Sequence, residues 1–346
     1  MAGQVRIRTQ GKPLLWAAGA NVLEDIGRGM VYRELYLRLT GQLTLVAADN
    51  TQALTNPGDE WAVVKNLKII ANANDEIWSV NGPDLRWLNY FLYGVFPVKN
   101  LAQIGGGAAN PQFDSTLIIP FWSPRSIHPM ATALDSGGLA SLSVQVNWGT
   151  YTDINADATG FTANPQITIE SAEIFNVTGP FSRWNMFPMV INPSASNPKE
   201  QVRLQVGPMY RGFMLKTLKT GTLAGLKLKS GTNVYVDIES DLLNTVLGQN
   251  RVATNLVQVY SPNIAWLASS GGTDSPNNYF FVDLVQDGHL SQAVDSLNLS
   301  EMILELNVTQ ADTITIYPLQ IIPVRSATTA TAPAAKTVTA NRAVLG

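Results

Sequence analysis

One stretch of this sequence occurs twice without a gap, and this repeat constrains the fold more than any other feature. Residues 133–148 read ALDSGGLASLSVQVNW, and residues 293–308 read AVDSLNLSEMILELNV. Each copy places an Asp-Ser pair, at Asp135 or Asp295, ahead of a run in which apolar and polar residues alternate. Alternation is typical of a strand with one buried face, and Asp-Ser is typical of a turn. The repeat therefore predicts a duplicated β-domain.

Three shorter similarities precede the repeat in each half and keep the same order. They pair GMVYR at 29–33 with GPMYR at 207–211, Leu67-Lys68 with Leu226-Lys227, and Asp84-Leu85 with Asp241-Leu242. Each match is weak alone, but collinear matches in the same strand and helix context indicate that a whole domain is duplicated. The first half is longer because residues 46–62 form a loop without a counterpart, and loops tolerate insertions.

Length and composition are consistent with two domains whose surfaces are covered by uncharged polar residues or by contact with other proteins. The chain has 346 residues, enough for two domains that each bury a core. Charged residues make up 14%, below the roughly 25% of ordinary soluble domains. The net charge of −3 lacks the basic excess of a protein that coats nucleic acid, so we expect no bulk nucleic-acid binding.

The sequence lacks cysteine and lacks an N-terminal membrane-spanning or signal segment, and both absences exclude some classes of protein. The sequence has no cysteine, which excludes disulfides, thiolate nucleophiles and cysteine-based metal sites. Its longest apolar N-terminal run, residues 13–23, is too short to span a bilayer and is not followed by a signal-peptide cleavage pattern. We therefore expect synthesis and folding in the cytoplasm.

The patterns divide the chain into five segments. They are an N-terminal arm over 1–28, a first sandwich over 29–180, a linker over 181–200, a second sandwich over 201–324 and a C-terminal tail over 325–346. The arm is basic, and apolar residues at helical spacing after Pro13 predict an amphipathic helix. Such a helix would dock on a neighbouring subunit or a membrane, or pack on its own domain. The Ala/Thr-rich tail is predicted to be disordered unless a neighbour orders it.

Each half contains short strands and one short helix, which predicts an all-β fold of antiparallel sandwiches. The predicted strands are Met30–Leu45, Val63–Ala71, Glu76–Val80, Leu117–Phe121, Leu142–Trp148, Gln166–Phe175, Asn233–Ile238, Met302–Ile316 and Leu319–Val324. The predicted helices are Pro83–Tyr93, which Gly94 closes, and Asp241–Leu247.

Signals of catalysis are weak. His128 and His289 are too few for a cupin-type metal site, so we interpret them as loop or core residues. Among the acidic pairs, at 24–25, 75–76 and 237–239, only Asp237 and Glu239 share a strand face. The triple glycine at 105–107 lacks the residues of a P-loop. We predict no catalytic, cofactor-binding or metal site and no cofactor.

Aromatic residues are concentrated in the first strand-helix unit. They are Trp78, Trp87, Tyr90, Phe91 and Tyr93. Such a group packs in a core or a subunit interface, or forms a platform on which sugar rings stack. We favour core or interface packing.

The tandem sandwiches, the doubled Asp-Ser-x-x-Leu strand, the Gly-x-x-Tyr-Arg openings and the two tails resemble the double-jelly-roll major capsid proteins of tailless icosahedral bacteriophages. The resemblance covers roughly residues 29–324 and implies two tandem antiparallel jelly-roll sandwiches, each with a short helix. It also implies a structural protein of the virion rather than an enzyme. Three copies would form a pseudo-hexagonal capsomer, with neighbouring capsomers, vertex or minor capsid proteins, and an internal membrane reached by the arm as partners.

Two other functions stay open at this point. A double-jelly-roll amidase or glycosidase acting on glycans would place Asp237 and Glu239 in a cleft between the halves. A tandem carbohydrate-binding module would use the aromatic residues near Trp87.

Overall fold

The computed structural model describes residues 4–45, 59–94, 110–124, 126–175, 177, 179, 181–240, 242–243, 278–285 and 288–323. Strands dominate this part of the chain and form two β-sandwiches. The tail over 325–346, the glycines at 105–107 and almost all of the predicted helix Asp241–Leu247 lie outside the described residues.

The first sandwich is built from the strands numbered β1 to β9. They are β1 (Gln4–Leu15), β2 (Asn21–Asp25), β3 (Val31–Leu45), β4 (Val64–Ala71), β5 (Asp75–Val80), β6 (Gln112–Pro120), β7 (Leu134–Asp135), β8 (Leu142–Trp148) and β9 (Ala158–Phe175). Two helices, α1 (Gly82–Tyr93) and α2 (Tyr151–Ile154), lie between them in sequence.

The second sandwich is built from the strands numbered β10 to β19. They are β10 (Arg183–Met186), β11 (Met189–Ile191), β12 (Asn197–Arg203), β13 (Met209–Thr217), β14 (Leu223–Ser230), β15 (Asn233–Glu239), β16 (Tyr279–Asp283), β17 (Val294–Asp295), β18 (Ile303–Val308) and β19 (Ile314–Ile322).

The two sandwiches have the same strand order. In the first, the sheet β1-β9-β3-β6 faces the sheet β5-β4-β8-β2, and β7 pairs with β3. In the second, the strands β10-β19-β13-β16 face the sheet β15-β14-β18-β12, and β17 pairs with β13. Strand β11 pairs with β19 on the same edge as β10. Each strand of the first sandwich therefore has a counterpart in the second, which is the architecture expected of a duplicated domain.

Alternating apolar residues fill both cores, as period-two patterning requires. In the first sandwich Leu37 of β3 and Ile69 of β4 are fully buried in one cluster with Val144 of β8. In the second, Leu215 and Leu304 occupy a separate buried cluster. The strand predictions over 30–45, 63–71, 76–80 and 142–148 are confirmed to within one residue at each end.

The repeated Asp-Ser pair forms the predicted turn. In the first copy the Asp135 Oδ1 accepts a hydrogen bond from the Gly137 N–H at 2.9 Å. The buried Ser136 hydroxyl donates to the Met30 carbonyl at 2.6 Å and accepts from the Met30 N–H at 3.1 Å. The turn is thereby fixed to the chain segment that enters β3.

The second copy makes the same contacts with its own sandwich. The Asp295 Oδ1 accepts from the Leu297 N–H at 2.9 Å. The Ser296 hydroxyl donates to the Pro208 carbonyl at 2.5 Å and accepts from the Gly207 N–H at 2.9 Å. Both aspartates are structural, because each carboxylate satisfies a backbone donor of its own turn.

The predicted helix in the N-terminal arm is wrong. The stretch after Pro13 contains the end of β1 and the whole of β2 instead, and these strands pair with β9 and β8. On β1 the side chains of Arg6 and Arg8 reach the buried Glu173 carboxylate, at 2.6 and 2.9 Å. Val5 and Ile7 alternate with these arginines, and this alternation is compatible with a strand but not with an amphipathic helix.

Two other predictions on secondary structure also need correction. The stretch 181–200, predicted as a linker, contains β10, β11 and the start of β12. The strand predicted over Met302–Ile316 is broken between β18 and β19, because Asp312 turns inward and accepts from the Lys219 N–H and the Thr222 hydroxyl, at 2.9 and 2.6 Å. The predicted bounds of the sandwiches, 29–180 and 201–324, stay predictions.

The helix predicted over 83–93 is confirmed as α1. The Asn81 side chain accepts from the Asp84 N–H at 2.7 Å and caps the N-terminus. At the other end Gly94 has a φ of 76°, a left-handed conformation that suits glycine and ends the helix. In the described part of the chain, no helix has the length and apolarity needed to cross a membrane.

Candidate functional site at the junction of the sandwiches

The two sandwiches share one continuous ten-stranded sheet. Strand β10 of the second sandwich pairs in parallel with β5 of the first, where Met186 lies opposite Trp78. The Trp78 indole N–H donates to the Trp184 carbonyl at 3.1 Å, and the two indole rings meet edge to face at 5.7 Å. All three side chains are buried. We call this pairing of β5 with β10 the seam.

Helix α1 of the first sandwich covers the outer face of the β13-β16-β19 sheet. Trp87 stacks on Tyr279 with ring centroids 4.9 Å apart, and Phe91 stacks on Phe281 at 5.1 Å. Aromatic pairs at these distances contribute about 0.5–1.5 kcal/mol each beyond the area that they bury. The helix therefore acts as an apolar wedge between the sandwiches.

The N-terminus of α1 carries a buried carboxylate that joins the sandwiches. Asp84 accepts hydrogen bonds from the hydroxyls of Tyr279 and Tyr317, at 2.7 and 2.5 Å. It also accepts from the Lys216 Nζ at 2.8 Å and from the Asn81 side-chain amide at 2.8 Å. Burial, and then the negative charge of Asp84, hold the pKa of Tyr317 well above its ordinary value of 10.0, so its hydroxyl stays a donor.

An arginine from the second sandwich fixes the other end of the junction. The buried Arg211 guanidinium donates to the Ser123 hydroxyl and, at 2.8 Å, to the Pro124 carbonyl. Its Nε lies 3.8 Å from the Asp283 carboxylate, and its charge lies 5.2 Å from the centre of the Trp184 ring. A buried arginine held by polar and aromatic partners fixes the orientation of the two sandwiches.

The loops beside Arg211 add backbone contacts. The Ile127 N–H donates to the Gly288 carbonyl at 2.8 Å, and the Ser126 hydroxyl donates to the same oxygen at 2.9 Å. The junction thus combines a shared sheet, an aromatic wedge and two buried charged groups, and nothing in it requires a substrate.

The residues considered for catalysis are not brought together. His128 and His289 are exposed and precede short 3₁₀ helices, 129–132 and 290–292. Within the described ranges, no group of three or more His, Asp or Glu side chains is arranged to hold a metal.

The acidic pairs also serve local roles. Asp237 and Glu239 are exposed on β15 rather than in a cleft, and Asp237 pairs with Lys227 at 2.9 Å. Asp75 binds Arg183 across the seam. Glu24 accepts from the Lys12 N–H at 2.8 Å. This placement does not provide the two facing carboxylates that glycoside hydrolysis requires.

The predicted core or interface packing of the aromatic group is confirmed. Trp78, Trp87 and Phe91 are buried, and Tyr90 and Tyr93 are partly buried. The faces of Trp87 and Phe91 are covered by Tyr279 and Phe281, so these two rings have no free face for a sugar.

Sequence reasoning missed three residues of the junction, Asp84, Trp184 and Arg211. Arg211 ends the repeated Gly-x-x-Tyr-Arg motif and Asp84 begins a short match, so both positions were marked by the repeat. Their partners come from distant strands, and a local pattern carries no information about them.

The fold, unlike the sequence, is similar to that of known proteins. No protein-family model matches the chain, and no curated protein sequence matches it. Solved structures do match, namely the major capsid protein P2 from bacteriophage PM2 and the atomic structure of Sulfolobus Turreted Icosahedral Virus. The first is 11% identical with a TM-score of 0.61, covering 94% of this chain and 99% of that one.

The second match is 14% identical with a TM-score of 0.69, covering 93% of this chain and 92% of that one. This chain has the double jelly-roll fold. A capsid structure of PBCV-1 shares the fold at 10% identity, with a TM-score of 0.56 and coverage of 93% and 96%. The predicted fold class and the resemblance to double-jelly-roll major capsid proteins are confirmed as a likeness of fold.

Proposed function

We propose that this protein is the major capsid protein of an icosahedral virus and is located in the virion. The observation that carries the proposal is the double jelly roll itself, matched over 93% or more of this chain and 92% or more of the capsid proteins compared. The junction supports this role, because its polar side chains are used to fix one sandwich to the other.

The proposed capsomer contains three copies in a ring. Two equivalent sandwiches in each chain present six similar edges, which is the number that a pseudo-hexagonal tile needs. A charged fraction of 14% is compatible with large permanent interfaces, which bury about 2,000–5,000 Å² or more. Neighbouring capsomers and vertex or minor capsid proteins are the partners. Contact of the N-terminal segment with an internal membrane stays a prediction. The proposed capsid role does not require this contact.

Native mass spectrometry of the purified protein, followed by negative-stain imaging, tests this function. The expected result is a homotrimer at micromolar concentration, with particles of hexagonal outline that associate into flat or curved arrays. A stable monomer under conditions that preserve virions would contradict the proposal.

A further inference from the structure

The two strands of the seam have counterparts that pair with no strand of the other sandwich in the part of the chain that the structure describes. Strand β15 takes the place of β5, and β1 takes the place of β10, in the common strand order. In the described residues, β15 pairs only with β14 and β1 only with β9. Among the described residues, each sandwich therefore has one seam strand that is joined and one whose outer edge is unpaired.

The sheet register identifies the equivalent residues on the first pair of strands. The register rows are Trp78–Ile69–Val144 in the first sandwich and Val236–Leu228–Leu304 in the second. Val144 and Leu304 occupy the same place in the repeated stretch. Val236 of β15 is therefore the counterpart of Trp78.

The same procedure relates β10 to β1. The rows are Met186–Leu319–Gly212 and Trp184–Ile321–Met209 in the second sandwich, and Ile7–Ala172–Glu34 and Val5–Ile174–Val31 in the first. Because Met209 and Val31 occupy the same place in the Gly-x-x-Tyr-Arg motif, Ile7 is the counterpart of Met186 and Val5 that of Trp184.

These counterparts are apolar and exposed. Ile7 is 61% exposed and Val5 is 50% exposed, whereas Met186 and Trp184 are 0% and 1% exposed. On β15, Val234 and Tyr235 are 52% and 38% exposed beside the partly buried Val236. Open strand edges with apolar side chains pair with other chains unless something covers them.

We propose that β15 of one copy adds in parallel to β1 of a second copy, repeating between chains the seam that joins β5 to β10 within a chain. This inference rests on the proposed function and deepens it by assigning the surface through which the ring closes. The occupant is a second copy of this chain, because the chain itself shows how this pair of edges fits together.

The environment of Arg33 supports the same assignment. Arg33 and Arg211 end the two copies of the Gly-x-x-Tyr-Arg motif. Arg211 is buried against Ser123 and Pro124 of the other sandwich. The Arg33 side chain is 31% exposed, its charge stacks 3.8 Å above the Trp122 ring, and its Nε lies 3.5 Å from the Glu34 carboxylate. Arg33 is thus placed to bind the second sandwich of the neighbouring copy.

The geometry of this contact accounts for a closed ring. The surfaces on β15 and β1 differ, so each copy offers one to the copy ahead and the other to the copy behind. Contacts of this head-to-tail type close into rings when the rotation between copies allows it. In a ring of three, every sandwich edge of this kind would be paired.

Cysteine crosslinking tests the contact directly, because the chain contains no cysteine. Ile7→Cys and Val236→Cys each introduce a single thiol on an edge strand, and neither removes a fully buried side chain. The two variants are co-expressed and treated with a short bifunctional thiol reagent. We expect the band on a denaturing gel to shift from monomer to dimer, and the double variant to give a covalent trimer.

Each variant alone should stay monomeric on the denaturing gel. Leu23→Cys combined with Leu297→Cys is the matched control, since these side chains are also exposed, at 51% and 41%. This control should give no specific product. Circular dichroism and melting temperatures equal to those of the natural sequence would show that the variants fold.

Three results would overturn the assignment. Crosslinking of Ile7→Cys with itself would indicate a two-fold contact between β1 strands. If only lipid vesicles protected the Ile7→Cys thiol from the reagent, β1 would contact a membrane and not a second copy. A natural sequence that is trimeric by native mass spectrometry, with no crosslink in the mixed variants, would reject this contact and leave the capsid role intact. A monomeric natural sequence would instead reject the proposed function.

Discussion

In the described residues, the outer sheet face of the second sandwich is covered, whereas the equivalent face of the first is partly exposed. By register, Tyr36 of β3 corresponds to Met214 of β13, and Ile118 of β6 corresponds to Phe281 of β16. Met214 and Phe281 are fully buried beneath the first sandwich, and Tyr36 and Ile118 are partly exposed. One fold thus presents two different surfaces, and the difference lies in what packs on each.

Both faces carry a cationic side chain at the same position, and its ion pair is expected to contribute differently to stability on each face. Lys216, 13% exposed, binds the buried Asp84 at 2.8 Å. Its counterpart Arg38, 54% exposed, binds Asp114 at 2.6 Å, and Asp114 is itself 43% exposed. Ion pairs in water contribute little, but breaking a buried pair leaves a charge without compensation. Whether the other sandwich covers the ion pair therefore decides how much the pair contributes to the stability of the fold.

The largest expected effect follows from removing the buried carboxylate. Asp84→Ala removes the buried acceptor that Lys216 and two tyrosine hydroxyls share, so we expect the free energy of unfolding to fall by about 3–5 kcal/mol. The matched change Asp114→Ala should cost less than about 1 kcal/mol. Urea denaturation of unassembled subunits, followed by tryptophan fluorescence, measures both. Equal losses would mean that the two faces do not differ in this way.

A smaller effect tests whether the repeated turns are equivalent. Ser136→Ala and Ser296→Ala each remove a buried hydroxyl that both donates to and accepts from the backbone. We expect each variant to lose about 1–3 kcal/mol and the two losses to agree, since the contacts match. The same denaturation experiment measures them. A loss in only one variant would show that the repeat preserves geometry without preserving its energetic role.

The smallest effect concerns an acid-sensitive group that the first sandwich has and the second lacks at the equivalent position. Glu173 corresponds by register to Gln320, which does not titrate. Burial raises the pKa of Glu173, but the hydrogen bond from Arg6 and the charges of Arg8 and Arg6 outweigh it, so the pKa lies below its ordinary value of 4.5. The resulting stability is present above the pKa of the unfolded chain and is lost as the pH falls through the lower folded value.

Glu173→Gln removes this contribution. We expect the variant to be less stable than the natural sequence at neutral pH, and the difference to shrink as the pH falls below about 4.5. Melting temperatures measured from pH 7 to pH 3 would show this convergence. A difference that stays constant over the range would assign the acid sensitivity elsewhere.

Local patterns were sufficient to predict the elements whose partners are near in sequence. The alternation in 142–148 gives the bounds of β8, and Pro83 with Gly94 marks α1 to within one residue. The repeated Asp-Ser pair indicates its turn because the Asp side chain bonds two residues ahead.

Distant partners explain what the sequence did not reveal. The stretch after Pro13 was interpreted as a helix because the strand partners of β1 and β2, which are β9 and β8, lie more than 100 positions further along the chain. Trp184 lies in a stretch rich in Pro, Asn and Ser, and this composition favoured a linker over a strand. The donors to Asp84 from Tyr279 and Tyr317 are 195 and 233 residues away, so no local period encodes the junction.

The pairing of β1 with β9 also sets the order in which the chain can fold. The first strand of the first sandwich pairs with its last, so this sheet is incomplete until residue 175 has been synthesised. Such non-local pairing slows folding and leaves strand edges exposed to aggregation meanwhile. Strand β10 follows soon after β9 in sequence and covers the edge of β5. In the proposed contact, the edge of β15 is covered only when a second copy binds, so its protection depends on the concentration of subunits.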